Sequence, residues 1–585
     1  MAFLRAGYDR FLEAQQVRMS SNYQGLALLA VLGLISGLLA GGVIVLFRMS
    51  MDAAASQTLP FGDIEGFEDL SHSSRFLLCV GGGLLVGLLL NYLKQNNRSV
   101  GVVHVIERLD YHQGHLPLKN AVVQFFAAGI SLLSGHSVGR EGPSVHLGAA
   151  SGSILGRVLR VPNNSVRILV GSGVAAAIAA AFNTPLAGVI FAMEVVIMEY
   201  TVIGFTPIII AAVSATTLTR LTLGDDSAFT VPAFELNAIH EIPIVIVMGA
   251  IIGCISAAFI HTAMFTSSLF LTQAIWIRTL IAGVITGTIA LLLPQIMGTG
   301  YDTVNHILLA QIGVSGIILL TIAKTLTTAT AVGLGIPAGL IGPVLFIGAA
   351  AGGSIGLISA TIIPDVASSG FYALLGMAAM MAATLQAPLA ALIYLLELSA
   401  TQEIILPGMA AVITASLVTR VVFKKSSIYR HLMLARGLDY RNTPMSMALR
   451  RIGVAGVMDR DFSQQKKIVS AQQAHDLLKQ APRWILLKDE NQRRENCLLP
   501  LTDLARYLSE LDGKDEDSSS INLYTIPAKR HEAGSIEIIA TLQEAQERML
   551  KNQYEALFVT GAHGATKQRV YGVITREHIE NAYHL

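Results

Sequence analysis

The sequence predicts an all-α polytopic membrane protein built from two related halves, followed by a smaller soluble α/β part. Three observations predict it. Of 585 residues, 52% are hydrophobic and only 14% charged, and a mean hydropathy of +0.57 exceeds what a water-soluble domain of this size sustains. Apolar runs long enough to cross a hydrocarbon core of roughly 30 Å recur along the chain. Motifs in the first half return in the second in the same order.

The N-terminal segment, residues 1–24, is charged and amphipathic, with Arg5, Asp9, Arg10, Glu13 and Arg18. The run from Gly25 to Phe47 that follows lacks a small-residue cleavage site and reads as a retained helix. Apolar segments continue to the run Leu406 to Phe423. Lys424, Lys425, Arg430 and Arg436 lie just beyond it, as the positive-inside rule expects of a cytoplasmic flank. Both termini are therefore expected in the cytoplasm, with the chain embedded in a bilayer. Cys79, Cys254 and Cys497 are scattered, without metal-ligand spacing, and imply no disulfide framework. A net charge of +1 gives no reason to expect a nucleic-acid partner.

The repeat is specific. Gly139 to Gly152, GREGPSVHLGAASG, matches Gly339 to Gly352, GLIGPVLFIGAAAG. Further on, FNTPLAGVIFAMEV from Phe182 matches LQAPLAALIYLLEL from Leu385. Duplicated halves with Gly/Pro-interrupted apolar segments at corresponding positions point to a transport site at their interface. The Gly-x-x-Gly-Pro turn starts a helix whose first N–H groups are unpaired and whose dipole is positive, inside a largely apolar region. Such an end attracts an anion, and glycines let it approach the backbone. Arg140 is too costly to lie in lipid, and is expected beside an aqueous vestibule or a carboxylate.

GREGP, GIPAGLIGP from Gly335, the FNTPLAG and LQAPLAA elements, and the tyrosine of SSIYRHLMLAR from Ser426 together resemble the CLC family of chloride channels and chloride/proton exchangers. The resemblance covers most of residues 25–440. It implies an inverted-repeat helical subunit, a homodimer, and one pathway per subunit for chloride and similar small anions. It makes Glu141 the gating glutamate, whose carboxylate competes with the ion and leaves when protonated or displaced. Tyr429 matches the inner-gate tyrosine. Gly101, Gly139, Arg140, Gly142, Leu340 and Ile341 fall in the anion-binding segments.

Two departures from the family pattern matter. The first filter segment aligns with SVGVVHV from Ser99, leaving Val100, or Val102 in a shifted alignment, where an anion-coordinating serine is usual. The inner proton-relay glutamate of the exchangers is replaced by Val195, next to Glu194. Valine carries no proton, so no relay residue is assigned and weak or absent proton coupling is the primary reading. The alternative is an antiporter with a water-mediated proton route. Glu194 recurs as Glu397, a symmetry that favours capping or pairing at a helix end.

Residues 450–510 and 521–585 each read as helix, strand, strand, helix, and resemble the two modules of a CBS-type pair. The acidic linker Asp512 to Ser520 between them is expected to be disordered. The ribose-contacting Asp of nucleotide-binding CBS modules is His578 here, which disfavours adenine nucleotide, and no cofactor is assigned. Two other classes fit the sequence less well. A proton-coupled carrier of another solute would not need the GREGP and GLIGP helix ends. An enzyme is disfavoured because His104, His136 and His146 show no HExxH-type metal pattern and no Ser/His/Asp set is apparent. GREGP ending in proline argues against the family's fluoride exporters. The location expected is a bacterial inner membrane.

Overall fold

The computed structural model describes residues 25–59, 65–225, 229–231, 241–363, 366–438, 444–488, 496–511, 520–561 and 569–583. The N-terminal segment 1–24 and linker residues 512–519 lie outside the described residues; Ser520 opens a strand. Two compact units result, one mostly residues 29–440 and one centred on residues 441–585.

Among the described residues of the first unit, eight helices are long and apolar enough to cross a membrane. The first, α1 (Leu26–Thr58), runs well past the apolar stretch ending at Phe47. The outward faces carry Leu38, Leu39, Leu46, Leu85, Phe126 and Ile322, large apolar side chains whose exposure a bilayer accounts for. α2 is His72–Tyr92, α3 Gly101–Tyr111 and α4 Leu118–Leu133.

The repeat is visible element by element. α5 (Glu141–Val158) and α6 (Asn163–Phe182) correspond to a later pair, Ile341–Ile362 and Ser369–Leu385. In both pairs glycines bring backbones into contact. A Cβ on Gly148 would lie 2.2 Å from the Gly173 carbonyl oxygen, and one on Gly348 2.3 Å from that of Gly376. Equal clearances at corresponding positions mean both halves pack by the same small-residue crossing. α7 (Pro185–Phe191), extended by a π-helical turn Ala192–Ile197, likewise matches Pro388–Ser399. Each begins with proline at N1, where its missing N–H costs nothing.

In the second unit a six-stranded sheet has the order β1-β3-β4-β6-β7-β8. β1 (Phe462–Gln465) is parallel to β3 (Trp484–Leu487), which is antiparallel to β4 (Cys497–Pro500). β6 (His531–Glu537), β7 (Ala556–Thr560) and β8 (Val570–Thr575) repeat that arrangement, and β4 joins β6 antiparallel. The short strands β2 (Ile468–Ser470) and β5 (Ser520–Asn522) pair separately. The helices Ala471–Gln480 and Leu542–Asn552 both start with a capping box, Ser470 with Gln473 and Thr541 with Glu544. The helix, strand, strand, helix pattern read from the sequence is thus present twice, with two further strands ahead of the first helix of each.

Candidate functional site: two helix N-termini closing on one carboxylate

The Gly-x-x-Gly-Pro turns of the two halves meet. Gly139 N–H donates to the Gly339 carbonyl at 2.6 Å, and Gly339 N–H returns the bond to Gly139 at 2.7 Å. This antiparallel bridge places the N-termini of α5 and of Ile341–Ile362 against each other. A Cβ on Gly142 would lie 2.5 Å from Gly339 Cα, so the contact is backbone to backbone.

Glu141, the first residue of α5, is fully buried there. Its Oε2 accepts the Gly342 N–H at 3.1 Å, and its Oε1 accepts the hydroxyl of Tyr301. The carboxylate of one repeat is thus seated on the N-terminus of the other, where helix ends favour negative charge. Leu340 and Ile341 open that same helix, whose first N–H groups have no intrahelical acceptor.

Tyr301 was not singled out from the sequence. It begins a short helix, Tyr301–Leu308, after the turn Gly298-Thr299-Gly300, and reaches Glu141 from 160 residues away. The only local signal is a glycine turn followed by an amphipathic helix start. Arg140 lies over the Tyr301 ring, with the guanidinium carbon 5.0 Å from the centroid. Arg140 also lines a cavity with Arg48, Asp52 and Glu65.

The remaining candidates divide. The Tyr429 hydroxyl is buried and has no hydrogen-bond partner among the described residues, and neither has that of Tyr394, whose ring packs on Phe182. The amide of Gly101, by contrast, donates to Gln124 Oε1 at 2.6 Å, and Gln124 also donates to the Pro337 carbonyl at 3.0 Å. Gly139 spends its amide on Gly339. In both, a neighbouring acceptor holds the amide N–H. Gly142 serves by permitting close approach. Val100 precedes α3 without any side-chain cap.

Val195 is buried within the π-helical turn. Glu194 accepts from the N–H groups of Leu389 and Ala390, at 3.2 and 2.7 Å. Glu397 accepts from Leu186 and Ala187, at 2.8 and 2.7 Å. Each glutamate caps the helix of the opposite repeat, the structural use its recurrence suggested. His146 is half satisfied: Nε2 lies 2.9 Å from His104 Nδ1, while Nδ1 lacks a partner among the described residues.

Residues 82–420 match the family described as voltage gated chloride channel. The chain belongs to the CLC family. The ClcB-like protein of Ralstonia nicotianae is 33% identical over 376 residues, covering 63% of this chain and 86% of that one. The H(+)/Cl(−) exchange transporter ClcA of Vibrio cholerae is 31% identical over 310 residues, covering 50% of this chain and 66% of its own length. The crystal structure of a slow cyanobacterial Cl−/H+ antiporter superposes with a TM-score of 0.62 over 71% of this chain and 99% of that one, at 23% identity, a likeness of fold. The mostly helical, polytopic fold of a CLC protein and its multi-pass membrane character follow.

Proposed function

We propose that the membrane unit carries chloride, or a similarly small monovalent anion, across the bilayer along a path gated by Glu141. One observation carries the proposal: the Glu141 carboxylate occupies a seat made by Gly342 N–H and the Tyr301 hydroxyl, the kind of seat a free anion would take. Protonating or displacing the carboxylate vacates donors that an ion then uses. Leu340 and Ile341 N–H and the Tyr429 hydroxyl extend the path inward. Arg140 serves by its field at the outer cavity.

On coupling, we read weak or absent proton movement, because buried Val195 holds no proton where the family's exchangers hold one. A second reading, exchange of protons for chloride along a water-mediated route, is supported by the name of the Vibrio relative. The C-terminal unit fits a CBS-type pair, with a stabilising role in a homodimer. His578 Nδ1 accepts from the Thr575 N–H at 3.1 Å, which favours a capping use over ribose recognition. Both termini are placed in the cytoplasm of a bacterial cell, with the protein in its inner membrane.

The test uses purified protein in vesicles under opposed chloride and pH gradients. Weak coupling predicts a reversal potential that follows chloride almost alone. A fixed proton-to-chloride ratio over a range of gradients would establish the exchanger instead. Glu141→Gln, a neutral mimic of the protonated gate, should raise flux or abolish its pH dependence, and unchanged flux and pH response would remove Glu141 from the gate. Movement of an organic solute without chloride would overturn the anion reading altogether.

A further inference from the structure

We infer that Tyr301 is the latch of the gate and a ligand of the outer anion: its hydroxyl holds the Glu141 carboxylate in the seat, then serves the transported ion once the carboxylate leaves. This rests on the reading of Glu141 as the gate.

The geometry is directional. A phenol has one proton to give, and here it goes to Glu141 Oε1, while Gly342 N–H takes Oε2 at 3.1 Å. Hydrogen bonds to an ionised acceptor are about twice as strong as neutral ones. Remove the carboxylate, and two donors converge on one buried point with nothing between them. A small, charge-dense anion that accepts two hydrogen bonds fits that demand.

The latch is also built to stay in place. Gly300 N–H donates to Glu65 Oε2 at 2.9 Å, and the Thr299 hydroxyl donates to Glu65 Oε1. On the other side Lys324, fully buried, donates to the carbonyls of Ile296 at 3.0 Å and Gly298 at 2.9 Å. The turn that presents Tyr301 is therefore clamped from both sides, by Glu65 and by Lys324. Gly300 adopts φ +75°, and a Cβ there would lie 2.7 Å from the Phe346 ring, so this backbone path needs glycine. The phenol ring is held by Phe229, with centroids 4.8 Å apart, and by Arg140 above it. Such support exceeds what packing a peripheral aromatic requires.

The other charged or titratable groups facing the pair are Arg48 and Asp52 from α1, Arg140, Glu65, Asp302, Lys324, and the phenols Tyr394 and Tyr429. None of them changes when Tyr301 is replaced by phenylalanine, which isolates the hydroxyl.

The experiment is chloride efflux from vesicles holding the full-length protein, across pH 4.5 to 8, for wild type, Tyr301→Phe, Glu141→Gln and the double variant. Loss of one hydrogen bond to a charged group predicts efflux at neutral pH raised about tenfold in Tyr301→Phe, and the acid-activated limb moved up by about one pH unit. The half-saturating chloride concentration should also rise. In the Glu141→Gln background the pH effect disappears and only the change in chloride saturation survives. Tyr301→3-fluorotyrosine, a stronger donor of nearly the same shape, should move the acid limb the opposite way, and it decides the matter if Tyr301→Phe fails to assemble. Wild-type pH response in Tyr301→Phe, with Glu141→Gln still fast, overturns the latch and leaves the gate standing. A pH-independent loss of flux in both backgrounds reduces Tyr301 to a structural residue and also overturns it. No effect of Glu141→Gln removes the gate itself.

Discussion

Gly339→Ala tests the crossing of the two helix ends directly. A Cβ at this position would lie 2.5 Å from Gly142 N and 2.8 Å from the Gly139 carbonyl oxygen, both backbone atoms that cannot rotate away. Ordinary contact begins at 3.4 Å, so the segments must part by about 0.9 Å, the difference between 3.4 and 2.5 Å. The paired bonds of 2.6 and 2.7 Å would stretch to the edge of hydrogen bonding. Two buried backbone bonds lost together cost roughly 2–6 kcal/mol, a large share of a net stability of about 5–15 kcal/mol. The same displacement draws Gly342 N–H away from the Glu141 carboxylate. The expected outcome is a lower melting temperature in detergent together with chloride flux that no longer responds to pH. Gly42→Ala and Gly81→Ala, at positions where a Cβ meets nothing within 4 Å, are the controls and should behave as wild type. A Gly339→Ala protein that melts with the controls and keeps the pH response would refute the claim that this crossing builds the site.

Glu397→Ala removes two charge-assisted bonds to the start of α7 and should cost on the order of 2–4 kcal/mol in thermal unfolding. Glu194→Ala should cost a similar amount by symmetry, so indifference at either position would break the reciprocal-cap account. Val195→Glu places a carboxyl at a buried point, and should increase proton movement driven by a chloride gradient, at some loss of stability. Unchanged proton flux would mean that this position does not limit coupling. In the C-terminal unit, burial lowers the affinity of His578 for a proton below that of an ordinary histidine at 6.5, against the pull of Asp459. The unfolded chain then binds the proton more readily, so stability is lost as pH falls below about 6.5. Hydrogen exchange over Arg576–Tyr583 in the full chain should quicken between pH 7.5 and 5.5 beyond the intrinsic pH effect, and His578→Gln should flatten the change.

How far the sequence carried depended on whether a feature was local. Gly-x-x-Gly-Pro fixes a helix start within five residues, so the ends at Glu141 and Ile341 could be placed from the sequence. The repeat of Glu194 as Glu397 likewise exposed a shared role before any contact was known. The strands Trp484–Leu487, Cys497–Pro500, Ala556–Thr560 and Val570–Thr575 were legible through their place between helical stretches, whereas the two strands ahead of the first helix of each module were not. Where three-dimensional neighbours decide, the reading fell short. α1 continues to Thr58 although its apolar run stops at Phe47, because Arg48 and Asp52 line the cavity beside Arg140. The amide of Gly101 is claimed by Gln124, a residue 23 positions away on another helix, and no motif announces that.

Tyr301 is the instructive omission, since the repeat itself hides it. At the position of Glu141 the second half carries Ile341, so only one repeat supplies a carboxylate where two positive helix ends meet. Two carboxylates there would repel each other in a poorly solvated site, and none would leave the helix ends with no internal anion to close on. On the gated reading, breaking the symmetry at one residue gives a single removable charge. That charge has two oxygens, and the opposing helix end satisfies only one of them, through Gly342. The other needs a donor from outside the repeated elements. Tyr301 supplies it from a turn held by Glu65 and Lys324. The asymmetry that makes a gate therefore creates the need for a latch, and the latch must come from a part of the chain that comparison of the two halves cannot reveal.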